Sequence, residues 1–338
     1  MNTTLDSSGV VTSDADGVHS RSGSDRTVAS DSPTRPAPGC LLAIDFGGTK
    51  IAMATAAPTG ERLRECEIPT LAEEGADRVL ERMFEAASNL VRETTAATRL
   101  SLQAVAAVTP GIVEPDGIRL APNNPGWDRL PLERVLRAGF DVDAIRVETD
   151  VKAAALAEAR CGALAGVRHG LYVNVGTGLA AAAVIDGKVL HGANGAAGEI
   201  GYSLRGVPNE VLFADDGAPL EQFVSGRAIA DRATAMLGRQ VSARDAFDLA
   251  KSTPEVAGLI DGALEALAIH VANLVLMLDP QRIVLGGGMA RVPAISIKLM
   301  HCLARAVPYP PEVVIATFGQ GAALQGAIVA GMEALNGV

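Results

Sequence analysis

Basic clusters and closely spaced cysteines are missing from this sequence. Its 29 lysine and arginine residues are outnumbered by 39 aspartate and glutamate residues, so the formal net charge is −10 at pH 7. An acidic chain without a basic patch is a poor partner for nucleic acid or an anionic membrane, and we expect neither. No two of the four cysteines have the spacing of metal ligands: Cys40, Cys66, Cys161 and Cys302. They indicate no disulfide framework and predict a reducing, cytoplasmic environment.

Several common nucleotide-binding and catalytic signatures are also absent. The sequence contains no GxxxxGK[ST] pattern, which excludes a P-loop protein, and no GxGxxG, GxSxG or HExxH pattern. A long hydrophobic run is missing as well. The most apolar segment, 264–278, is too short to cross a membrane and carries Glu265 and His270, so we expect a buried helix.

The first 39 residues lack aromatic side chains and are rich in Ser, Thr, Asp and Gly. Such a segment cannot bury enough apolar surface to become ordered, so we predict a disordered tail; it also lacks the apolar core of a signal peptide. The rest is long enough for two domains. We predict an N-terminal α/β domain over 40–150 and a C-terminal α/β domain over 151–319, with the last helix, 320–338, packing back on the first domain.

Hydrophobic periodicity and turn residues predict alternating strands and helices. Strands are predicted at 41–45, 50–57, 64–69, 103–111, 144–150, 281–285 and 312–316, with a hairpin over 170–190. Helices are predicted at 75–97, 151–164, 219–237, 243–251, 254–278, 292–305 and 320–335. This order of elements indicates an α/β protein.

One plan recurs at two distant places. AIDFGGTKIAMAT (43–55) and YVNVGTGLAAAAV (172–184) each contain an apolar strand, a polar residue, a Gly-rich tip and a second apolar strand, with Gly47 aligned on Gly176. A repeat of this kind predicts a duplicated domain rather than a solenoid. Two Gly-rich tips that face each other could bind a chain of phosphates through backbone N–H groups.

The first tip carries more chemistry than a hairpin turn needs. Gly47 and Gly48 can adopt positive φ and admit a ligand to bare backbone, while Asp45 and Thr49 add a carboxylate and a hydroxyl. Together they could bind a phosphate and its metal, and a plain turn explains the same residues equally well. A third glycine run, 286–288, lies between a predicted strand and a helix, where ligands bind in open α/β sheets; a simple turn is the alternative.

Three acidic residues occupy positions from which a carboxylate could act on a substrate. Asp150 ends a strand and begins a helix, so it is either an N-cap or a general base that accepts a proton as an oxygen attacks phosphorus. Glu199 and Glu221 could accept hydrogen bonds from sugar hydroxyls, and Glu221 could instead interact with a helix dipole. The asparagines at 123–124 could join them or form a turn. We expect Lys152 to be solvated.

Eight short motifs together resemble the ROK family, a family of bacterial-type sugar kinases. They are DFGGTK (45–50), PG (110–111), PNNPGW (122–127), ETDVKAAALAE (148–158), NVGTG (174–178), GAAGEIGY (195–202), LEQFVSG (220–226) and LGGG (285–288). Each motif alone is weak, but their order and spacing are specific, and they cover nearly all of the chain from residue 41. The resemblance implies an α/β fold of duplicated actin-like (ribonuclease-H-like) ATPase domains with an interdomain cleft.

The resemblance implies a role for each matching residue. Asp150 matches the catalytic base, which deprotonates a primary hydroxyl of the sugar. The residues that match the ATP and phosphate motifs are Asp45, Gly47, Gly48, Thr49, Lys50, Gly176, Thr177, Gly178, Gly286, Gly287 and Gly288. The residues at acceptor-binding positions are Gly111, Asn123, Asn124, Thr149, Glu199, Tyr202 and Glu221. The implied co-substrate is ATP, with Mg²⁺ carried near Asp45.

The sequence departs from the family pattern in the acceptor-binding motifs. Thr149 stands where the family usually has Asn, and Tyr202 where it usually has a His that binds both sugar and a structural zinc. The stretch that matches the zinc cysteines, 213–221, contains no Cys, so we predict no zinc. Because the phosphate motifs and the base are intact, we expect a working kinase with a changed acceptor: a glucose-type sugar, an amino sugar or a C7-cyclitol.

The expected partners are a small-molecule sugar or cyclitol and, by resemblance, a second copy of the chain in a homodimer. The alternative is a non-catalytic ROK-type sugar sensor or regulator. Regulators of this family carry a winged helix-turn-helix before the first Gly-rich motif, where this sequence has only the polar segment described above. We therefore expect an enzyme.

Overall fold

The computed structural model describes residues 39–121 and 124–337. Residues 1–38 of the predicted tail, residues 122–123 with Asn123 among them, and Val338 lie outside the described residues. The disordered tail therefore stays a prediction over residues 1–38. The prediction is wrong at Gly39, which is the first residue of a strand.

The predicted alternation of strands and helices is present throughout the described chain. The first part contains β1 (Gly39–Phe46), β2 (Lys50–Ala56), β3 (Arg62–Pro69), α1 (Ala76–Thr98), β4 (Ser101–Thr109), β5 (Ile112–Glu114), β6 (Gly117–Arg119), α2 (Leu132–Phe140) and β7 (Ala144–Thr149). The second part contains α3 (Asp150–Cys161), β8 (His169–Val175), β9 (Leu179–Ile185), β10 (Lys188–Val189), α4 (Glu221–Val224), α5 (Gly226–Leu237), α6 (Ala243–Leu249), α7 (Pro254–Leu278), β11 (Arg282–Gly286), α8 (Pro293–Ala306), β12 (Glu312–Ile315) and α9 (Ala322–Leu335).

Two five-stranded sheets share one topology. In the first, of order β3-β2-β1-β4-β7, β1 pairs antiparallel with β2 and parallel with β4, and β4 pairs parallel with β7. In the second, of order β10-β9-β8-β11-β12, β8 pairs antiparallel with β9 and parallel with β11, and β11 pairs parallel with β12. This repetition confirms the duplicated, actin-like α/β fold that the sequence predicts.

The central strands are apolar along their whole length because they are covered on both faces. On β1, Leu42 and Ile44 pack toward α1, while Leu41 and Ala43 pack toward α3 and α9. Helix α9 lies against β1 and β4, and α3 contacts α9 together with strands of both sheets. The domain boundaries at 150 and 319 stay predictions, because α3 and α9 join the two halves closely.

The topology gathers the conspicuous motifs at one place. The parallel strands β1, β4 and β7 end at Phe46, Thr109 and Thr149, and β8 and β11 end at Val175 and Gly286. Each end is followed at once by a Gly-rich or acidic motif of the sequence. Because carboxyl ends of parallel strands meet at the same edge of a sheet, these motifs face a common space.

Some elements differ from the prediction. The helix predicted over 219–237 is two helices, because Ser225 accepts a hydrogen bond at its Oγ from the N–H of Ala228 (3.2 Å) and begins α5. The β5–β6 hairpin and α2 were not predicted. The apolar segment 264–278 belongs to α7, which by length and composition alone could cross a membrane; half of its most apolar window is buried within the structure.

Candidate active site

A cavity of about 620 Å³ opens where strands of both sheets end. Nine of the predicted site residues line it: Gly48, Thr49, Gly111, Asp150, Thr177, Gly178, Glu199, Tyr202 and Glu221. The other nine described site residues lie outside this lining: Asp45, Gly47, Lys50, Asn124, Thr149, Gly176, Gly286, Gly287 and Gly288. Asn124 and Thr149 line two neighbouring cavities.

Asp150 lies at the centre of this arrangement, in the first turn of α3. The N-cap of α3 is Thr149, whose Oγ accepts a hydrogen bond from the N–H of Lys152 (3.4 Å), so the N-cap interpretation of Asp150 is wrong. The N–H of Val151 donates to Asp150 Oδ1 (2.8 Å). Asp150 is exposed to solvent at the cavity that it lines. Burial raises the pKa of Asp150, while hydrogen bonds from the backbone and the charge of Lys152 oppose the rise.

Thr149 lies on the other side of this strand end. Its side chain is buried and lines a cavity of about 480 Å³ together with Glu148 and His191. Glu148 Oε1 accepts the N–H of Thr149 (2.9 Å), and its other carboxylate oxygen pairs with His191. The Thr149 hydroxyl therefore caps a helix, and a contact with the acceptor stays a prediction.

The first Gly-rich tip is a tight turn closed by a hydrogen bond from the Gly47 N–H to the carbonyl oxygen of Lys50 (3.0 Å). A side chain at Gly47 would lie 2.8 Å from that oxygen, so the turn excludes a Cβ. Neither Gly47 nor Gly48 has positive φ, so that part of the prediction is wrong. Lys50 Nζ pairs with Glu67 Oε1 (2.7 Å) on an exposed surface of the sheet.

Asp45 lies just before this tip and is half-buried. Burial, and then the nearby charge of Asp150, raise the pKa of Asp45 to about 6. A half-buried carboxylate two residues before a Gly-rich tip suits Mg²⁺, which binds through one or two carboxylates plus substrate phosphates. The residues present therefore fit a magnesium ion that arrives with a nucleotide.

The second Gly-rich tip is held by the helices that follow it. The N–H of Gly226, at the start of α5, donates to the carbonyl oxygen of Gly176 (2.8 Å), and the N–H of Gly176 donates to the carbonyl oxygen of Gly178 (3.0 Å). Glu221 Oε2 accepts the N–H of Leu179 (2.8 Å). One carboxylate oxygen of Glu221 therefore fixes the tip, while the side chain also lines the cavity.

The third glycine run packs behind the second tip. Gly287 has φ 86°, and a Cβ there would lie 2.5 Å from the carbonyl oxygen of Val175. A Cβ at Gly286 would lie 1.9 Å from the Tyr172 hydroxyl. The N–H of Met289 donates to the carbonyl oxygen of Val175 (3.0 Å). These contacts require glycine and put the run against the second tip.

Trp127 is buried beside the segment that carries Asn124, which lines a neighbouring cavity. The Trp127 ring packs edge-on against Phe46 (5.4 Å between ring centroids) and donates from Nε1 to Thr109 Oγ1 (2.6 Å). Three residues before it, Asn124 is 3% exposed, and both polar atoms of its amide lack a hydrogen-bond partner within the described part of the chain. Buried polar groups are usually paired, so this amide is suited to a ligand.

Tyr202 joins two cavities. It lines the central cavity and also a neighbouring one of about 490 Å³ that includes Asn124. Its ring packs edge-on against Phe213, with 5.4 Å between ring centroids. An aromatic pair thus occupies the position where the family pattern has His and zinc. Over residues 39–121 and 124–337, no group of three or more His, Cys, Asp or Glu side chains could hold a metal ion.

Lys152, which the sequence predicts to be solvated, is buried. The side chain is 2% exposed, and its Nζ lies 3.9 Å from Glu199 Oε1. The expectation of a solvated lysine is wrong because the first turns of α3 are covered on all sides. Burial raises the pKa of Glu199 to about 6, the charge of Lys152 lowers it, and Asp150 raises it.

Two further polar side chains, which were not assigned to the site from the sequence, also line the cavity. Arg227 lies in the first turn of α5, and Asn174 precedes the second tip. Asn174 aligns with Asp45 in the internal repeat, a signal that could have identified it. Arg227 has no such signal, because its position depends on the break at Ser225.

The sequence profile of the ROK family matches residues 41–332. The chain belongs to the ROK family. Among ROK relatives, the glucokinase of Halalkalibacterium halodurans is 29% identical over 84% of this chain and 92% of its own length. The kanosamine kinase of Amycolatopsis mediterranei is 29% identical over 88% of this chain and 98% of its own length. A putative xylose repressor of Caldicellulosiruptor sp. is 28% identical over 73% of this chain and 65% of its own length.

Solved ROK structures have the same fold. The ROK hexokinase from Thermus thermophilus superposes with a TM-score of 0.76 and 30% identity, covering 88% of this chain and 100% of that one. A ROK glucokinase from Streptomyces griseus, in complex with glucose and AMPPNP, superposes with a TM-score of 0.67 and 25% identity, covering 86% and 98%. The relatives named as kinases support a sugar kinase as the class of protein.

Proposed function

We propose that this ROK protein is an ATP-dependent kinase that phosphorylates the primary hydroxyl of a hexose or hexose-like ring. The observation that carries the proposal is the single cavity that contains Asp150, both Gly-rich tips and the carboxylates of Glu199 and Glu221. Related glucokinase and kanosamine kinase sequences support the reaction class, and their different substrates leave the acceptor open.

The reaction needs a base, a phosphate cradle and an acceptor site. Asp150 takes the proton of the acceptor hydroxyl as its oxygen bonds to the γ-phosphorus and the bond from that phosphorus to the ADP oxygen breaks. The raised pKa of Asp150 suits this role, because a carboxylate with a higher pKa accepts the proton more readily.

The two tips supply groups for the phosphates. Backbone N–H groups and hydroxyls of Thr49 and Thr177, together with the Arg227 guanidinium, line the cavity on both sides. Asp45 would hold Mg²⁺, which when bound neutralises phosphate charge. Enclosure of the acceptor by both halves limits competing attack by water.

The acceptor site is polar and acidic. Glu199 and Glu221 accept hydrogen bonds from ring hydroxyls, the unpaired amide of Asn124 can both donate and accept, and Tyr202 offers a ring face and a hydroxyl. A glucose-type sugar, an amino sugar and a C7-cyclitol all carry the necessary hydroxyls and a primary alcohol. Thr149 and Tyr202 stand where the family usually has Asn and His. These two differences support a change in which of the three acceptors the site binds.

The test is ADP release with Mg·ATP across an acceptor panel: glucose, mannose, N-acetyl sugars, 3-aminoglucose and C7-cyclitols. Strong turnover with at least one acceptor, and none with the analogue of that acceptor lacking its primary hydroxyl, is the expected result. Turnover of the deoxy analogue would contradict the assigned hydroxyl. Calorimetric sugar binding without turnover would instead favour a sensor.

A regulator is the second candidate, since a xylose repressor is among the relatives. Its test is binding to genomic DNA fragments at two salt concentrations. Tight binding that weakens steeply with salt would support it. The net charge of −10 favours the kinase.

A further inference from the structure

Lys152 is a buried cation that the proposed reaction leaves without a role. It is the third residue after the end of β7 and lies in the first turn of α3, and only 2% of its side chain is exposed. Lysine is among the residues least often buried, because removing an ammonium group from water is expensive unless a carboxylate compensates it. Its presence here therefore needs an electrostatic reason.

Carboxylates face Lys152 from several elements. Glu199 Oε1, on the loop before Ile200, lies 3.9 Å from Nζ. Asp150 on α3 interacts with the same charge, and Glu221 on α4 adds to the negative potential felt by Asp150 and Glu199. Asp45 at the end of β1 repels Asp150. Lys152 is thus a buried positive charge among these carboxylates.

A histidine lies at the edge of the same group. His191 pairs with Glu148 on β7, and the charge of Lys152 opposes protonation of that histidine. The Glu148 carboxylate is engaged by His191 and by the Thr149 N–H, while Glu199 lies within ion-pair distance of the Lys152 ammonium group.

The backbone of the loop that carries Glu199 is held against β9. The N–H of Ala181 donates to the carbonyl oxygen of Gly198 (2.8 Å), and Gly198 has positive φ, with a Cβ there lying 1.9 Å from the carbonyl oxygen of Ala181. Ile200, which follows Glu199, is buried in the core. The loop backbone is thus fixed without Lys152, and the ion pair acts on the direction of the Glu199 side chain.

We propose that Lys152 is a positioning residue that holds the Glu199 carboxylate at the acceptor pocket and balances the negative charge gathered around Asp150. This inference rests on the proposed kinase function and adds a residue that acts through Glu199 and Asp150 without touching the acceptor. Neutral methionine at position 152 would fill the same volume but leave both carboxylates uncompensated.

The pH profile of kcat/KM distinguishes this role from packing. Activity requires ionised Asp150 and Glu199, so it falls as the pH drops through their pKa values, and an opposite charge at this distance typically lowers a carboxyl pKa by about one unit or more. We expect the fall of kcat/KM at low pH to occur about one pH unit higher in K152M than in wild type, and to return toward its wild-type position in K152R. This low-pH fall is the acidic limb of the profile. K251M, which removes an exposed lysine paired with Asp248, is the control and leaves the limb unmoved.

Steady-state constants test the contact with Glu199. In K152M the KM for the acceptor should rise about tenfold while the KM for ATP stays within about twofold, the scale of one lost charge-assisted contact. In an E199Q background the K152M change should add little, because both substitutions disrupt the same pair. Full additivity of the two effects on acceptor KM would overturn the proposal.

A measurement without turnover separates this inference from the kinase proposal. The pKa of Glu199, read by ¹³C NMR of glutamate-labelled protein and assigned by loss of its signal in E199Q, should be higher in K152M than in wild type. An unchanged Glu199 pKa would overturn the role of Lys152 even if the enzyme is active. If K152M does not fold, K152Q carries the same measurement, since glutamine removes the charge and keeps a polar side chain.

Discussion

Asp45 and Asp150 are two carboxylates near the strand ends: Asp45 is half-buried, and Asp150 lines the open cavity. Desolvation raises the pKa of both, and the charge of Asp150 further raises the pKa of Asp45. Ionising them at neutral pH therefore costs folding free energy. Groups held at such a cost are commonly functional, because a site optimised for stability alone would replace them with neutral side chains.

The substitution D45N should make the protein more stable at pH 8. Asp45 has an ordinary pKa of 3.8 and a pKa of about 6 in the fold, so its folded form is favoured at low pH and loses stability as the pH rises through this window. Asparagine removes that loss. We therefore expect the free energy of unfolding of D45N to exceed that of wild type by about 1–2 kcal/mol at pH 8, and the difference to disappear near pH 4. Thermal unfolding at the two pH values measures it.

D245N is the matched control, with the opposite sign. Asp245 accepts hydrogen bonds from the N–H of Ser242 (3.2 Å) and from its hydroxyl (2.7 Å), and these lower the pKa of Asp245. Its neutral variant should lose stability at pH 8. A D45N protein less stable than wild type at pH 8 would show that the Asp45 carboxylate is stabilised by the fold and contradict the account.

At the scale of elements, α3 is tied at its far end by Glu158. This glutamate is fully buried. Its Oε1 accepts the N–H groups of Thr317 (2.7 Å) and Phe318 (3.2 Å), and its Oε2 accepts the N–H of Ala163 (2.6 Å). One carboxylate thus links the end of α3 to the turn that leads into α9, the two helices between the sheets.

E158A should destabilise the protein by about 3 kcal/mol, because three backbone N–H groups would lose the buried carboxylate that accepts their hydrogen bonds. Denaturant unfolding measures the loss, and E158Q should fall between E158A and wild type. E133A is the control: Glu133 forms an exposed i,i+4 pair with Arg137, so we expect less than about 0.5 kcal/mol. Equal effects of E158A and E133A would contradict the structural role of Glu158.

The long elements were predictable because their apolar patterns are strong. The strands around Asp45 and Asn174 and the 25-residue helix α7 lie where the sequence predicts them. The β5–β6 hairpin was missed because each strand has only three residues, too few to show the alternation of apolar and polar residues that predicts a strand. The break in the helix predicted over 219–237 depends on a single hydrogen bond of Ser225, and helix propensity does not reveal it.

The candidate site was predictable where it follows a strand end and not where it depends on tertiary packing. Asp150, Glu199 and Glu221 share one cavity, as their motifs lead one to expect. The direction of Lys152 was not predictable, since a lysine in the first turn of a helix is solvated unless both sheets cover that turn. The ion pair between Lys50 and Glu67 was not predictable either, because it depends on the pairing of their two strands.

At the scale of the molecule, each sheet contributes one Gly-rich tip to the cavity. Thr49 comes from the first sheet, and Thr177 and Gly178 from the second. A ligand that binds both tips at once therefore joins the two halves. Closure of such halves on substrate is common where water must be excluded from a phosphoryl transfer.

We expect the protein to become more compact when acceptor and a non-hydrolysable ATP analogue bind together. Small-angle scattering should show a smaller radius of gyration for the ternary complex than for the free protein, with the acceptor alone and the nucleotide alone as controls. An unchanged radius at saturation of both ligands would argue that the cavity is already closed. The homodimer implied by the ROK resemblance stays a prediction, and the same experiment reports the mass of the particle.

The central claim is that Asp150 is the base of a phosphoryl transfer. Its most direct test is the kcat of D150N with Mg·ATP and the acceptor that wild type uses best, with T149A as the neighbouring control. The account predicts that D150N loses at least about 100-fold in kcat, the usual scale of general base catalysis, and keeps acceptor binding, while T149A stays within about tenfold. Near-normal turnover by D150N would contradict it.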